Sequence, residues 1–240
     1  MKNTSSTPPI SLQVTNPAQR LQLESLLPVP KCYARKPNFL TSTELADLHQ
    51  AIVISPYLAE NQLSNSFQDS YGFSVVFTRS GIERVKRKFP AFTPYLQRVL
   101  KSACNAFYLN PLVLSAGGQV EAHVDCSLGG YPGQIMTPAL VSVLYVQVPN
   151  DLTGGELVLK LEERPVAELP PATNTLLYFL GHLTHSVNPV QTSDCRISLV
   201  CEQYNLAADV LQTIPEFELI WGEVMASHGF PLPSQSPFSP

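Results

Sequence analysis

The chain has 240 residues, of which 44% are hydrophobic and 14% are charged, a balance that excludes a disordered protein and suits one large domain with a buried core. Its net charge of -4 gives no general attraction to phosphate backbones, so nucleic acid is not an expected partner. The longest near-apolar stretch, residues 140–148, is about half the length of a membrane span, and residues 1–14 lack the apolar core of a signal peptide. We therefore predict a soluble, cytoplasmic protein with no membrane partner.

The cysteines point to the same compartment. Their number is odd and no two of them form a Cys-x-x-Cys pair, which argues against both a disulfide framework and a structural zinc site. They are Cys32, Cys104, Cys126, Cys195 and Cys201. We expect free thiols in a reducing cytoplasm.

The N-terminal part of the chain predicts an arm followed by helices. Residues 1–37 contain several prolines and little periodicity, which is typical of an extended arm. A Thr-Ser-Thr-Glu capping pattern at 41–44 precedes apolar residues at helical spacing and predicts a helix over 45–52. Residues 73–77 predict a short strand. The apolar stripe over 92–107 has helical spacing and predicts a second helix.

After Tyr108 the pattern changes to short β-rich runs separated by Gly, Pro, Asn and Asp clusters. The runs are residues 111–115, 120–124, 139–148, 156–161, 175–179, 185–190 and 196–204. This spacing predicts a β-sandwich or a double-sheet jelly roll. We therefore predict one domain over 38–205 with its β core at about 108–205, and a C-terminal extension over 206–240 that starts with a helix near 206–211.

A histidine and an aspartate stand two residues apart at the end of the second of these runs. Residues at this spacing in an extended segment project to the same side, so the His123 imidazole and the Asp125 carboxylate can converge on one metal ion. The pair alone is weak evidence, because such pairs arise by chance. A third ligand is needed.

Two further histidines follow the predicted strand at 175–179. Two histidines and one carboxylate with open coordination positions form the ligand set of the non-haem iron(II) oxygenases. We choose His185 because it begins a predicted strand and can point inward, whereas His182 lies in the turn after Gly181. His182 is expected to be a turn histidine that does not bind metal.

The last predicted strand, residues 196–204, is mostly apolar but begins with an arginine. Burial of a guanidinium is costly unless an anion meets it, and the Arg196 fork matches a carboxylate with two parallel hydrogen bonds. Ser198 faces the same side and can donate to that carboxylate. Alone, Arg196 fits equally well as an edge-strand residue paired with a surface acid.

Four short motifs together carry a family resemblance. They are the His-x-Asp pair at 123–125, a Gly-Gly-Glu-Leu segment at 154–157, the histidine at 185 and the Arg-x-Ser pair at 196–198. This combination resembles the 2-oxoglutarate/iron(II) dioxygenase superfamily, and within it the prolyl-4-hydroxylase-like branch. The resemblance covers roughly residues 39–204 and is strongest over 108–204.

The resemblance implies a mainly β fold with flanking helices, built on a double-stranded β-helix core of the jelly-roll, cupin-like type. It implies Fe(II) on His123, Asp125 and His185, and 2-oxoglutarate on Arg196 and Ser198, with O₂ as the second co-substrate and ascorbate as an optional addition. Family members hydroxylate a substrate C–H bond and release succinate and CO₂. Since the family's halogenases have a small residue where this chain has Asp125, an oxidation such as hydroxylation is expected.

Tyr108 and Tyr145 are the candidate tyrosines for contact with the co-substrate. Many relatives carry a tyrosine in the strand before His-x-Asp, whereas this chain has Leu-Val-Leu at 112–114, so Tyr108 or Asn110 is the candidate to replace it. Tyr145 either hydrogen-bonds the co-substrate or packs in the core. The two glycines at 154–155 are expected to form a turn with positive φ angles.

Two other functions compete with an oxygenase. A hydrolase or lyase with zinc on the same three residues leaves Arg196 without a role, and a non-catalytic cupin-like binding module leaves the metal ligands without one. The expected substrate is a small amino acid, a peptide-like molecule or a natural-product intermediate. Its identity depends on loops such as 61–72 and 127–138, which the pattern does not interpret, and the oligomeric state is equally open.

Overall fold

The protein was analysed as a computed structural model that describes residues 32–60 and 67–221. Most of the predicted arm and of the predicted C-terminal tail lie outside the described residues. Fourteen strands and four α-helices occur in the described part of the chain. None of these helices is long and apolar enough to cross a membrane.

The strands are short except for one in the middle of the chain. They are β1 (Tyr33–Lys36), β2 (Ala59–Glu60), β3 (Phe67–Gly72), β4 (Ser74–Thr78), β5 (Ala106–His123), β6 (Leu140–Gln147), β7 (Thr153–Gly154), β8 (Leu157–Leu161), β9 (Arg164–Leu169), β10 (Thr175–Leu180), β11 (Thr184–Val187), β12 (Val190–Gln191), β13 (Arg196–Tyr204) and β14 (Phe217–Ile220). The helices are α1 (Ser42–Val53), α2 (Ile82–Lys88), α3 (Thr93–Val99) and α4 (Ala208–Leu211).

The main sheet is antiparallel throughout and is organised around β5. Its principal strand order is β1-β10-β6-β13-β5-β11-β8-β9. Along its length β5 pairs with β13, β4, β3 and finally β11, so this one strand connects two parts of the sheet. Register shifts in β3, β8, β11 and β13 bend the sheet further. The result is a curled, jelly-roll β core with few helices, as the sequence predicted.

Alternation along the strands separates two apolar cores. On β6, Leu144 and Val146 join the core under the helices, whereas Val143 and Tyr145 belong to a second core inside the curled sheet. The first core includes buried helix residues such as Leu48. The helices therefore cover the outer face of the sheet and leave its inner face to form a cavity.

The first helix confirms the predicted capping pattern. The Thr41 hydroxyl accepts a hydrogen bond from the Glu44 backbone N–H, and the Glu44 carboxylate accepts one from the Thr41 N–H, which is a complete capping box. Glu44 also binds the Arg98 guanidinium at 2.7 and 2.9 Å. The pair connects α1 to α3, so both helices are fixed against the same sheet face.

Two predicted elements are wrong in extent. The helix predicted over 92–107 ends at Val99, since Leu100 is extended and Phe107 already lies in β5. The apolar stripe continued past the helix end because the loop residue Cys104 is itself buried in the core. The separate runs at 111–115 and 120–124 are parts of one strand, which passes the intervening glycines with Gly117 at a φ of 86°.

The sheet also extends past the predicted domain limits. Before residue 38, β1 pairs with β10, and after residue 205, β14 pairs with β4. The run predicted over 185–190 is divided between β11 and β12, whereas the strands predicted over 139–148, 156–161, 175–179 and 196–204 are confirmed. All five cysteines are free thiols.

Gly181 tests how tightly the turn before β11 is packed. A Cβ on Gly181 would lie 2.0 Å from the Pro138 carbonyl oxygen, whereas a Cβ on Gly130 would meet nothing within 4 Å. We expect Gly181→Ala to lower the free energy of unfolding by about 1–3 kcal/mol through overpacking. Gly130→Ala should change it by less than about 0.5 kcal/mol. Chemical denaturation measures both, and equal stabilities would show that the turn adapts freely.

Candidate metal centre

Two histidines face each other across two neighbouring strands of the main sheet. His123 ends β5 and His185 lies in β11, and the two are direct partners in the antiparallel register. Their ring centroids are 4.4 Å apart. Asp125 follows two residues after His123, and its carboxylate oxygens lie 3.3 Å from His123 Nε2 and 3.5 Å from His185 Nε2. One ligand atom from each of the three residues lies within 4.8 Å of the others.

Backbone carbonyls orient both imidazoles. His123 Nδ1 lies 2.8 Å from the Glu121 carbonyl oxygen, and His185 Nδ1 lies 3.2 Å from that of Leu183. Because a carbonyl oxygen only accepts, each Nδ1 must carry the proton of the neutral ring, and Nε2 is then the atom that can bind a metal. Both Nε2 atoms point towards Asp125.

The electrostatics favour a charged carboxylate beside a neutral His185. Burial lowers the pKa of His185 below its ordinary value, and this outweighs the opposing charge of Asp125. Burial acts to raise the pKa of Asp125, but the neighbouring His185 and His123 overcome it and lower the pKa. Asp125 Oδ2 is buried and accepts no hydrogen bond. An ionised carboxylate with an unsatisfied oxygen beside two imidazole lone pairs fits a divalent cation.

Arg196 lies in the wall of the same cavity, at the start of β13. Its side chain is among the largest that are fully buried, with 1% of the residue exposed. Its Nε and Nη1 atoms have no hydrogen-bond partner, and no Asp or Glu forms an ion pair with it among the described residues. Its guanidinium lies 4.9 Å from the centre of the Tyr145 ring. The edge-strand alternative, a surface arginine paired with a surface acid, is therefore wrong.

Of the other predicted co-substrate residues, Ser198 and Tyr145 lie on neighbouring strands beside Arg196, whereas Tyr108 lies further along the sheet. Ser198 lines the cavity two residues beyond Arg196 and pairs in register with Tyr145 of β6. The Tyr145 hydroxyl is buried without a hydrogen-bond partner. Tyr108 also lines the cavity, but it lies on β5 opposite Glu202, and its hydroxyl is 2.5 Å from Ser74 Oγ.

Asn110 lies near Tyr108 and donates to the Phe73 carbonyl at 3.2 Å.

Gly154 and Gly155 have φ angles of 74° and 72°, so the predicted positive-φ turn is confirmed. An added Cβ on Gly155 would lie 3.6 Å from Arg196 Cδ. The turn therefore also forms part of the arginine pocket.

The cavity has a volume of about 460 Å³ and extends from Arg196 past the three candidate ligands to Glu202. Sequence reasoning missed Glu202, although the alternation that placed Arg196 and Ser198 on one face of β13 also places Glu202 there. Val200, two residues before Glu202, lines the cavity as well. Strand periodicity was therefore a signal that could have identified Glu202.

Comparisons with known proteins identify the fold. No family model matches the sequence, and no curated protein matches it. A prolyl-4-hydroxylase from Pseudomonas putida is similar in structure at 15% identity and a TM-score of 0.51, over 79% of this chain and 100% of that one. A prolyl hydroxylase from Trichoplax adhaerens, solved with a hypoxia inducible factor peptide fragment, has 18% identity and a TM-score of 0.52 over 78% and 90% of the two chains.

A third similar structure is a 2OG-Fe(II) oxygenase family oxidoreductase from Burkholderia pseudomallei, with 17% identity and a TM-score of 0.50 over 79% and 90% of the two chains. The chain therefore has the fold of the 2-oxoglutarate/iron(II) oxygenases. Prolyl hydroxylases are among the proteins that share it, in agreement with the resemblance seen in the sequence.

Proposed function

We propose that this protein is an Fe(II)- and 2-oxoglutarate-dependent oxygenase that hydroxylates an unactivated C–H bond of a small amino acid, peptide-like or natural-product substrate. Iron is held by His123, Asp125 and His185, and the far carboxylate of 2-oxoglutarate is held by Arg196. The observation that carries the proposal is the buried guanidinium of Arg196, whose Nε and Nη1 have no hydrogen-bond partner and which lies in the same cavity as the three candidate metal ligands.

The cost of burial explains why Arg196 matters. A buried cation without a counter-charge is unfavourable unless an anion binds beside it. The Nε and Nη1 atoms can meet a carboxylate with two parallel hydrogen bonds, and the Tyr145 ring lies 4.9 Å from the guanidinium. The pocket thus fits a carboxylate that enters from the metal side.

The protein supplies geometry and an apolar environment. His123, Asp125 and His185 would hold the iron, which with 2-oxoglutarate and O₂ would supply the oxidation that releases succinate and CO₂. Buried residues such as Val143, Leu157 and Phe179 line the cavity and exclude water from the reacting groups. Because Asp125 occupies the position that halogenases leave open, we expect hydroxylation.

Arg196 and the three candidate metal ligands also weigh against the two competing functions. A zinc hydrolase needs a base near its metal but has no use for a buried arginine that faces a dicarboxylate. A binding module does not require three convergent metal ligands. The peptide bound to the Trichoplax adhaerens protein supports a peptide-like substrate for this chain as one member of the class to be tested.

The test is aerobic turnover with Fe²⁺ and 2-oxoglutarate over a panel of free amino acids, proline-containing peptides and simple amines. We expect succinate, and a product heavier by one oxygen for at least one member. Asp125→Ala is the control and should form neither. Absence of succinate across the panel, together with no 2-oxoglutarate binding, would contradict the proposal.

A further inference from the structure

Glu202 is a buried carboxylate in the cavity, far from Arg196. It is 2% exposed and lines the cavity on the same face of β13 as Arg196 and Ser198. Its carboxylate accepts hydrogen bonds from Ser127 Oγ at 2.5 Å, from the Ser127 backbone N–H at 3.3 Å and from the Tyr204 hydroxyl. All three donors are neutral.

No cation of the protein compensates this carboxylate in the described part of the chain. Among the described residues that line the cavity, Arg196 is the only lysine or arginine, and it stands six residues away on β13, roughly 20 Å along the strand. Burial raises the pKa of Glu202 well above its ordinary value. An ionised Glu202 is therefore unfavourable until a positive group binds beside it.

A count of the formal charges in the cavity also indicates Glu202 as the site for a positive group. In the proposed complex, the charges of Fe²⁺ and Arg196 cancel those of Asp125 and doubly charged 2-oxoglutarate. An ionised Glu202 would then be the only uncompensated charge among the described residues that line the cavity. A substrate that carries one positive charge would neutralise it.

The walls near Glu202 indicate the rest of the ligand. Val141 of β6 is its register partner, and Val200 and Ile220 line the same region. Ser127 lies at the edge, on the loop that follows Asp125. The site therefore combines one buried anion with apolar walls, which suits an aliphatic body that ends in a charged head group.

We propose that Glu202 binds an ammonium or guanidinium group of the primary substrate, so that the substrate is an organic cation with an apolar body. This inference rests on the proposed oxygenase function, because it assigns the far end of the same cavity to the molecule that is oxidised. Glu202 is then a specificity residue, and Asp125 lies between the two charged ends. A purely structural Glu202, protonated between Ser127 and Tyr204, would confer no preference for cations.

The test uses anaerobic protein loaded with Fe²⁺ and 2-oxoglutarate and is made by calorimetry. The probes are straight-chain amines from n-butylamine to n-hexylamine, each paired with the alcohol of equal length. A hydrogen bond to a charged group is worth about 1.5–3 kcal/mol, so the best amine should bind at least about tenfold more tightly than its alcohol. Equal affinities, or no binding of any amine, would overturn the inference without use of a variant.

Variants then assign the preference to one residue. Glu202→Gln keeps the size of the side chain but removes its charge and replaces one acceptor oxygen by an NH2 donor. It should make amine and alcohol bind alike, whereas Glu202→Asp keeps the charge and should retain part of the preference. Glu168→Gln removes an exposed carboxylate outside the cavity and is the matched control that should behave as wild type. A Glu202→Gln protein that still prefers the amine would contradict the assignment.

The same sample separates this inference from the proposed function. If 2-oxoglutarate binds the Fe²⁺-loaded protein but amines show no advantage, the cation site is wrong and the oxygenase proposal stands. If 2-oxoglutarate does not bind, the oxygenase proposal fails whatever the amines do.

Discussion

Replacement of Arg196 by alanine is expected to raise the apparent dissociation constant of 2-oxoglutarate between about thirtyfold and several thousandfold. The variant leaves the far carboxylate buried without a counter-charge, and truncation of one partner in a buried charge pair costs roughly 2–5 kcal/mol. The structure supports a large effect, because Arg196 is 1% exposed and is the buried cation of this pocket. Calorimetric titration of 2-oxoglutarate into Fe²⁺-loaded, anaerobic protein measures the change.

The control for this variant is metal binding, which should survive because Arg196 is not a ligand. Arg196→Lys should recover only part of the affinity, since an ammonium cannot form the two parallel hydrogen bonds of a guanidinium. Unchanged 2-oxoglutarate affinity in Arg196→Ala would remove the co-substrate role from β13.

Loss of any one metal ligand is expected to have the second large effect. His123→Ala, Asp125→Ala and His185→Ala should each weaken Fe²⁺ binding by more than about a hundredfold, since even residues that only orient ligands are worth 10–100-fold. The three ligand atoms converge within 4.8 Å, so two of them no longer span a face of the coordination sphere. Iron content after dialysis measures the loss.

His182→Ala is the matched control for His185→Ala. His182 lies in the turn between β10 and β11 and is outside the group of convergent ligands, so this variant should bind Fe²⁺ nearly as wild type. The opposite result, with binding lost in His182→Ala and kept in His185→Ala, would show that the distal ligand was chosen wrongly.

The sequence predicted the elements whose local pattern and tertiary role agree. The Thr41–Glu44 capping pattern specified the start of α1. β-rich runs between turn residues specified β6, β10 and β13, because each of these strands is largely buried on both faces. The three candidate ligands and Arg196 were found because strand geometry limits which neighbours can converge.

The remaining features depended on contacts between distant residues. The end of α3 at Val99 could not be predicted, because the apolar residues after it are buried by the sheet rather than by a helix. The short strands β1 and β14 are defined by pairing with β10 and β4, which leaves little local signal. Alternation places Glu202 on the same face of β13 as Arg196, but only the structure shows that the cavity extends to that end of the strand.

The most direct test of the central claim is titration of 2-oxoglutarate into anaerobic, Fe²⁺-loaded wild-type protein while the visible absorption is followed. Bidentate chelation of Fe(II) by a 2-oxo acid gives a metal-to-ligand charge-transfer band, which we expect to appear and to saturate at one co-substrate per chain. His185→Ala should give no band under the same conditions. A wild-type protein that binds Fe²⁺ but develops no such band would contradict the assignment of this cavity as a 2-oxoglutarate oxygenase site.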